Sequence, residues 1–300
     1  MAASTKTFLA RSEGLKAGLL SLLLLALLLG IWHLATTGGA TAAVSATTTP
    51  LTAEQIEYAK LMGHDPTGGD AAPRSGFPTL AQMADVTVKH LSAPFYYYGP
   101  NDMGIGLQLA HSLARVAVGF LLAAAVAIPL GFLIGMSPLA YRTLDPFIQV
   151  LKPISPLAWM PLALFTIKDS SLSGVFVIFI CSIWPMLLNT AFGVASVRRD
   201  WLNVARTLEV SPLRKAFFVI LPAAAPTIVT GMRISMGIAW LVIVAAEMLV
   251  GGTGIGHFVW NEWNNLSLPN IIFAILCIGL VGMLLDRMFA LAQRAVTYVE

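Results

Sequence analysis

Three charged residues stand inside stretches that are otherwise apolar: Arg115, Arg233 and Glu247. A charge within a bilayer costs on the order of 3 kcal/mol on insertion scales, so each must hold a partner, water or a passing solute. Arg233, Trp240 and Glu247 recur every seven residues. At 100° per residue that places them within about 40° of one another on a helix, and Met236 lies beside them. A guanidinium on such a stripe can receive an anion. The competing reading is a structural ion pair or a snorkelling side chain for Arg233, and plain packing for Trp240. A carboxylate beside an anion path repels its cargo unless it is paired. Glu247 is therefore matched with Arg115, which enters from the same side. The chemistry is capture and passage rather than bond-making, because the chain carries no HExxH, GxSxG or GxxxxGK[ST] sequence. Cys181 and Cys277 sit in apolar segments and read as buried thiols. His33, His64 and His90 are isolated, and His257 with Glu262 falls short of a metal-ligand set. An enzyme, a metal site and a cofactor held by this chain are all poor readings.

The elements that position these residues are membrane helices. Of 300 residues 57% are hydrophobic and only 11% charged, where a soluble domain carries roughly 25% charged. The net charge of +3 is spread over the loops, which argues against nucleic acid and makes the basic residues a topology signal. Residues 1–35 read as an uncleaved signal anchor with its span from about Leu15 to Leu34. A cleaved signal peptide is the rival, since small residues follow the apolar run. Residues 36–105 hold six carboxylates against three Lys or Arg and read as an external loop, with one short helix expected from Thr52 to Met62 behind a Thr-x-x-Gln cap. Phe95 to Tyr98 suit the headgroup level.

Further spans are expected at about Leu107–Met136, Phe147–Ile167, Leu172–Val197, Ala223–Val250 and Pro269–Leu291. That gives six, with both termini cytoplasmic and residues 294–300 as a tail. The third contains Pro153, Pro156 and Pro161, so it should face protein rather than lipid. On the fifth, Gly231, Ser235 and Ala239 repeat every four residues, the small-residue spacing that lets helices approach closely. The glycines of GGTGIG, residues 251–256, are expected to release the chain from the helix into a turn, followed by a short helix anchored by Phe258, Trp260 and Trp263.

One loop between spans is strongly cationic: RRDWLNVARTLEVSPLRKAFFVILP, residues 198–222. The positive-inside rule puts it in the cytoplasm. Its first helix carries Trp201, Val204, Ala205 and Leu208 on one face. Ser211-Pro212 starts a second helix at about a right angle to it, ending at Leu221-Pro222.

This loop resembles the EAA loop of ABC-importer permease subunits. Laid on Leu221-Pro222, the family pattern falls on Asn203, Val204, Ala205, Glu209, Val219, Leu221 and Pro222, with Asn203 in place of the family Glu and Glu209 in place of the turn Gly. The stretches GMRISMGIAWLVIVAAEM and GGTGIGHFVWNEWNNL are closer still to the branch that moves nitrate, bicarbonate, cyanate, taurine and aliphatic sulfonates, and KPISPLAWMPLALFTIKDSS with GGTGIGHFVWNEWNNL looks most like its nitrate-type members, with bicarbonate and cyanate transporters close behind. The resemblance covers roughly residues 104–293. It implies an all-α membrane protein with the type I ABC importer permease fold over residues 106–293, sited in a bacterial inner membrane. It also implies a second copy as partner, two cytoplasmic ATPase subunits that bind ATP and Mg, and an external solute-binding protein. The ATPase contact would fall on Asn203, Val204, Ala205, Leu208, Glu209, Leu221 and Pro222. The translocation path would be bordered by Arg115, Arg233, Met236, Trp240 and Glu247. The alternative of another class is a secondary anion transporter working without ATP.

Overall fold

A computed structural model describes residues 2–43, 77–99 and 102–297. The helix expected at 52–62 lies outside the described residues. The chain divides into two units, residues 1–89 with 268–270, and residues 90–267 with 271–300.

In the first unit, α1 runs Ala2–Ala43, and its stretch Lys16–Thr36 is long and apolar enough to cross a membrane. Trp32 fixes the chain that returns to it: its indole Nε1 donates to Pro78 O at 2.9 Å, and its ring meets Phe77 edge-on at 5.4 Å. A helix the sequence reading omits, α2 at Leu80–Ser92, follows. Thr79 and Gln82 start it reciprocally, Thr79 N donating to Gln82 Oε1 at 3.0 Å and Gln82 N to Thr79 Oγ1. The sequence pattern, Thr-x-x-Gln, is the one the chain also carries at 52–55.

The second unit opens with a two-stranded hairpin, β1 (Tyr97–Gly99) and β2 (Asp102–Met103). Helices follow: α3 Ile105–Met136, α4 Pro138–Leu151, α5 Pro156–Ile167, α6 Ser170–Ala195, α7 Arg199–Thr207, α8 Pro212–Lys215, α9 Leu221–Val250, α10 Ile255–Asn264 and α11 Leu268–Val296. Among the described residues five helical runs are long and apolar enough to span a membrane, and a sixth span exists only if α4 and α5 count as one. That pair corrects the expected single span over 147–167. The two helices meet at 90°, because Pro153 and Pro156 remove two N–H donors across the break and push the residues before them out of helical geometry.

A second correction concerns Leu221-Pro222, which does not end a helix. Pro212 to Val250 is one continuous run, and the ring of Pro222 is accommodated by a π-helical turn at Ala216–Ile220. There Leu221 N reaches back five residues to Ala216 O, and the following residue has no N–H to satisfy.

The core is α6 flanked by α3 and α9. The backbones touch where side chains are smallest. A Cβ on Gly131 would stand 2.7 Å from Leu187 O of α6, and one on Gly231 would stand 2.7 Å from Asn189 Cβ on the opposite flank. Gly231, Ser235 and Ala239 all turn toward α6 or into the interior as their spacing requires, and Ser235 Oγ donates to Ser182 O at 2.7 Å. By contrast α11 buries only Phe273, Ala274 and Phe289.

Candidate coupling face and intramembrane charges

At the end of the bundle where α6 passes into α7, the cationic loop forms a short helix with a defined stop. Glu209 N donates to Arg206 O and Val210 N to Ala205 O, both at 3.0 Å, with Glu209 at φ +50°. This is a Schellman ending with a glutamate at the left-handed position that glycine usually fills. The expected face of α7 needs correcting. Val204, Leu208 and Trp201 are exposed at 59%, 70% and 42%, but Ala205 is buried within the chain at 3%. Ala205 lies some 40° round from Trp201 at 100° per residue, on the side of Leu202. Leu202 packs into the cluster of Val194, Val197, Ile220, Ala224 and Ile228. The free apolar face is therefore Trp201, Val204 and Leu208, continued by the exposed Leu213, Phe217 and Phe218. Asn203 and Glu209 stand exposed beside it. Leu221 and Pro222 belong to the long helix.

At the opposite end, Glu247 is buried at 4% and held by three groups. Arg115 Nη1 donates to Oε1 at 2.8 Å, the Ser112 hydroxyl lies 2.8 Å from Oε2 and 2.9 Å from Oε1, and Gly256 N donates to Oε2 at 3.0 Å. Ser112 Oγ in turn accepts from Ile255 N at 3.0 Å. The glycines of GGTGIG do more than turn the chain. Gly251, Gly252 and Gly254 all have positive φ, and a methyl on Gly254 would land on the Glu247 carboxyl group. The motif wraps a carboxylate belonging to its own chain. Arg115 is spent in the same network: Nε donates to Ser171 Oγ at 2.9 Å, Nη2 to Thr253 Oγ1 at 2.8 Å, and Nη1 also to Thr253 O. One guanidinium thus ties together α3, α6, α9 and the turn into α10, beside a cavity of about 360 Å³. In α10, burial holds the His257 imidazole below the ordinary histidine range.

The seven-residue stripe divides. Glu247 faces α3, whereas Arg233 and Trp240 face α11. Arg233 grips Asp286 with both forks, Nε to Oδ1 and Nη2 to Oδ2 at 2.6 Å each. Trp240 is buried at 5%, and its Nε1 donates to Ile278 O at 3.0 Å. Gln293 Nε2 adds a third tie, to Thr230 Oγ1 at 2.9 Å. The 40° drift accumulated over two heptads is enough to send the two ends of the stripe to different neighbours. Met236 is buried at 7%. Of these groups only the Arg233 and Asp286 pair stays accessible, at 36% and 54%. Sequence reasoning pairs Arg115 with Glu247, but names neither Ser112 nor Asp286 as a partner.

The chain is similar to known proteins in sequence and in fold. A family model described as "Binding-protein-dependent transport system inner membrane component" matches residues 127–298. The chain is 46% identical over 226 residues to the nitrate import permease protein NrtB of Synechocystis sp. (strain ATCC 27184 / PCC 6803 / Kazusa), which covers 75% of this chain and 82% of that protein. It is 44% identical over 207 residues to the bicarbonate transport system permease protein CmpB of the same strain, covering 69% and 74%. In fold it is similar to a chain of the inward-facing MetNI methionine ABC transporter, with a TM-score of 0.59 over 65% of this chain and 96% of that one at 15% identity.

Proposed function

The chain belongs to the family of binding-protein-dependent transport system inner membrane components, and from that premise we propose that it is the permease subunit of an ATP-driven importer of a small inorganic anion, nitrate first. The observation that carries the choice of anion is the 46% identity to a nitrate import permease across three quarters of this chain. Bicarbonate is the second reading, on the 44% identity to a bicarbonate permease. Two copies of the chain enclose the path, both termini lie in the cytoplasm, and an external binding protein delivers the solute. An ATPase subunit grips the Trp201, Val204 and Leu208 face of α7, a helix-in-groove contact, and its closure reaches the spans through the continuous run from Pro212 to Val250. Arg233 with Asp286 borders the path. Met236 and Trp240 support that border, and the Arg115–Glu247 network closes the bundle at the other end.

The test is uptake of labelled nitrate by proteoliposomes holding the permease, its ATPase and its binding protein, in competition with bicarbonate, cyanate and taurine. Nitrate should enter only with ATP and be displaced little by taurine. Uptake by the permease alone on an ion gradient would instead assign it to the secondary transporters.

A further inference from the structure

The right-angle break between α4 and α5 sets Lys152, which the expected span 147–167 also contains, at the end of α4. Lys152 lines a cavity of about 450 Å³ together with Trp159, Trp184, Asn189 and Ile238. Two helices fix its depth independently. Trp184 lies thirteen residues along α6 from Ser171, hence about 20 Å from the level where Arg115 meets Ser171, at 1.5 Å per residue. Ile238 lies twelve residues before the end of α9 at Val250, about 18 Å from the same end. Lys152 is exposed on the single chain, and these counts put the cavity it lines within a hydrocarbon core of about 30 Å, where a cation calls for a function.

Its surroundings state what the function needs. Among the described residues the Lys152 ammonium has no hydrogen-bond or ion-pair partner. The indole N–H groups of Trp159 and Trp184 have no acceptor there either. No Asp or Glu lines the cavity. The two other deep cations differ: Arg115 is saturated by Glu247, Ser171 and Thr253, and Arg233 by Asp286. A mostly apolar cavity, free of carboxylates and holding an unpartnered ammonium beside two indoles, with the Asn189 amide donating to Pro185 O, is complementary to a small anion with acceptor oxygens.

We propose that Lys152 and this cavity form an intramembrane binding site for a small oxyanion of the nitrate or bicarbonate type. Lys152 supplies the charge, and the tryptophans and Asn189 form the wall against which the anion is desolvated. The proposal rests on the reading of the chain as an anion importer and adds a residue that reading does not use.

The experiment uses the full complex in proteoliposomes, in a Cys181→Ala, Cys277→Ala background first shown to transport, since Cys181 lines the same cavity. Lys152→Met should assemble with the ATPase and lower nitrate uptake by about tenfold or more, the loss expected for a charged hydrogen-bond donor. Lys152→Arg should stay within about threefold, as the charge is kept. Lys152→Cys should be inactive, regain uptake after labelling with an ethylammonium thiosulfonate, and stay inactive after labelling with an ethylsulfonate of similar size. Wild-type uptake by Lys152→Met, or equal restoration by the two reagents, overturns the site while leaving an anion importer in place. If the unsubstituted complex imports taurine and takes up no oxyanion, the anion reading itself falls and the site falls with it.

Discussion

Replacing Gly254 by alanine adds one methyl group, and the structure supplies its own control. Gly252 and Gly254 both have positive φ, at +100° and +135°. A Cβ on Gly252 meets nothing within 4 Å, whereas one on Gly254 falls on the carboxyl group of Glu247. Gly252→Ala should therefore report backbone strain alone, about 1–2 kcal/mol for a side chain in left-handed space. Gly254→Ala has strain of at least this size, because φ +135° with ψ 169° is a region open essentially only to glycine, and it must also expel a carboxylate that is only 4% exposed. The expulsion breaks its contacts with Ser112, Arg115 and Gly256, and leaving one member of a buried pair alone costs about 3–5 kcal/mol. The sum, about 4–7 kcal/mol, is comparable to a whole domain's stability. Equilibrium unfolding in mixed micelles measures both variants. The Gly254→Ala loss should be partly relieved when Glu247→Ala removes the obstructed group, giving a double-mutant coupling of about 1–3 kcal/mol. Equal losses for the two glycines, or strict additivity with Glu247→Ala, would show that the motif is only a turn.

Val204→Asp or Leu208→Asp should abolish capture of the ATPase in pull-down at unchanged thermal stability, whereas Ala205→Asp should lower the melting temperature of the isolated permease, since Ala205 is buried in its own chain. Glu209→Gly should stabilise the loop by up to about 1 kcal/mol by relieving its left-handed glutamate, read as a rise in melting temperature. Arg233→Met should assemble and hydrolyse ATP while moving little nitrate, and Arg233→Lys should keep more transport. Normal uptake by the Met variant would make the contact with Asp286 purely structural. For His257, burial lowers the folded pKa, so its share of stability is complete above about pH 6.5 and is lost as pH falls through the folded value. Thermal unfolding at pH 5 and 7.5 should show a smaller pH dependence in His257→Gln than in the unsubstituted chain.

What the sequence makes legible are relations along one helix and between groups with a single choice of partner. Gly231, Ser235 and Ala239 declare a packing face by spacing alone, and Glu247 has Arg115 as its obvious opposite charge. Relations set by tertiary geometry are less accessible. Ser112 lies 135 residues from Glu247, and a serine in an apolar helix carries no signal until the two meet. Asp286 stands beside Arg287 near the cationic tail and so resembles a helix boundary. Ala205 sits at the edge of an apolar face, where about 40° separates a partner's groove from the chain's own core. The setting of Lys152 at the end of α4 depends on a right-angle break, and prolines announce a break without its direction. The capping pair Thr79 and Gln82 was readable, being the same pattern as Thr52 and Gln55.

The placing of α6 between α3 and α9 has a consequence for biosynthesis. Chain order brings α3 to the ribosome exit first, then α4 and α5, then α6, so the glycine contacts of Gly119, Gly131 and Gly135 with α6, which runs parallel to α3, can close while α9 is still being made. Until α9 arrives, the second flank of α6, with Pro185, Asn189 and Gly193, has no protein neighbour from this core. A pause in translation after the cationic loop would therefore leave a half-assembled membrane intermediate, with that loop already made before the helix that anchors it.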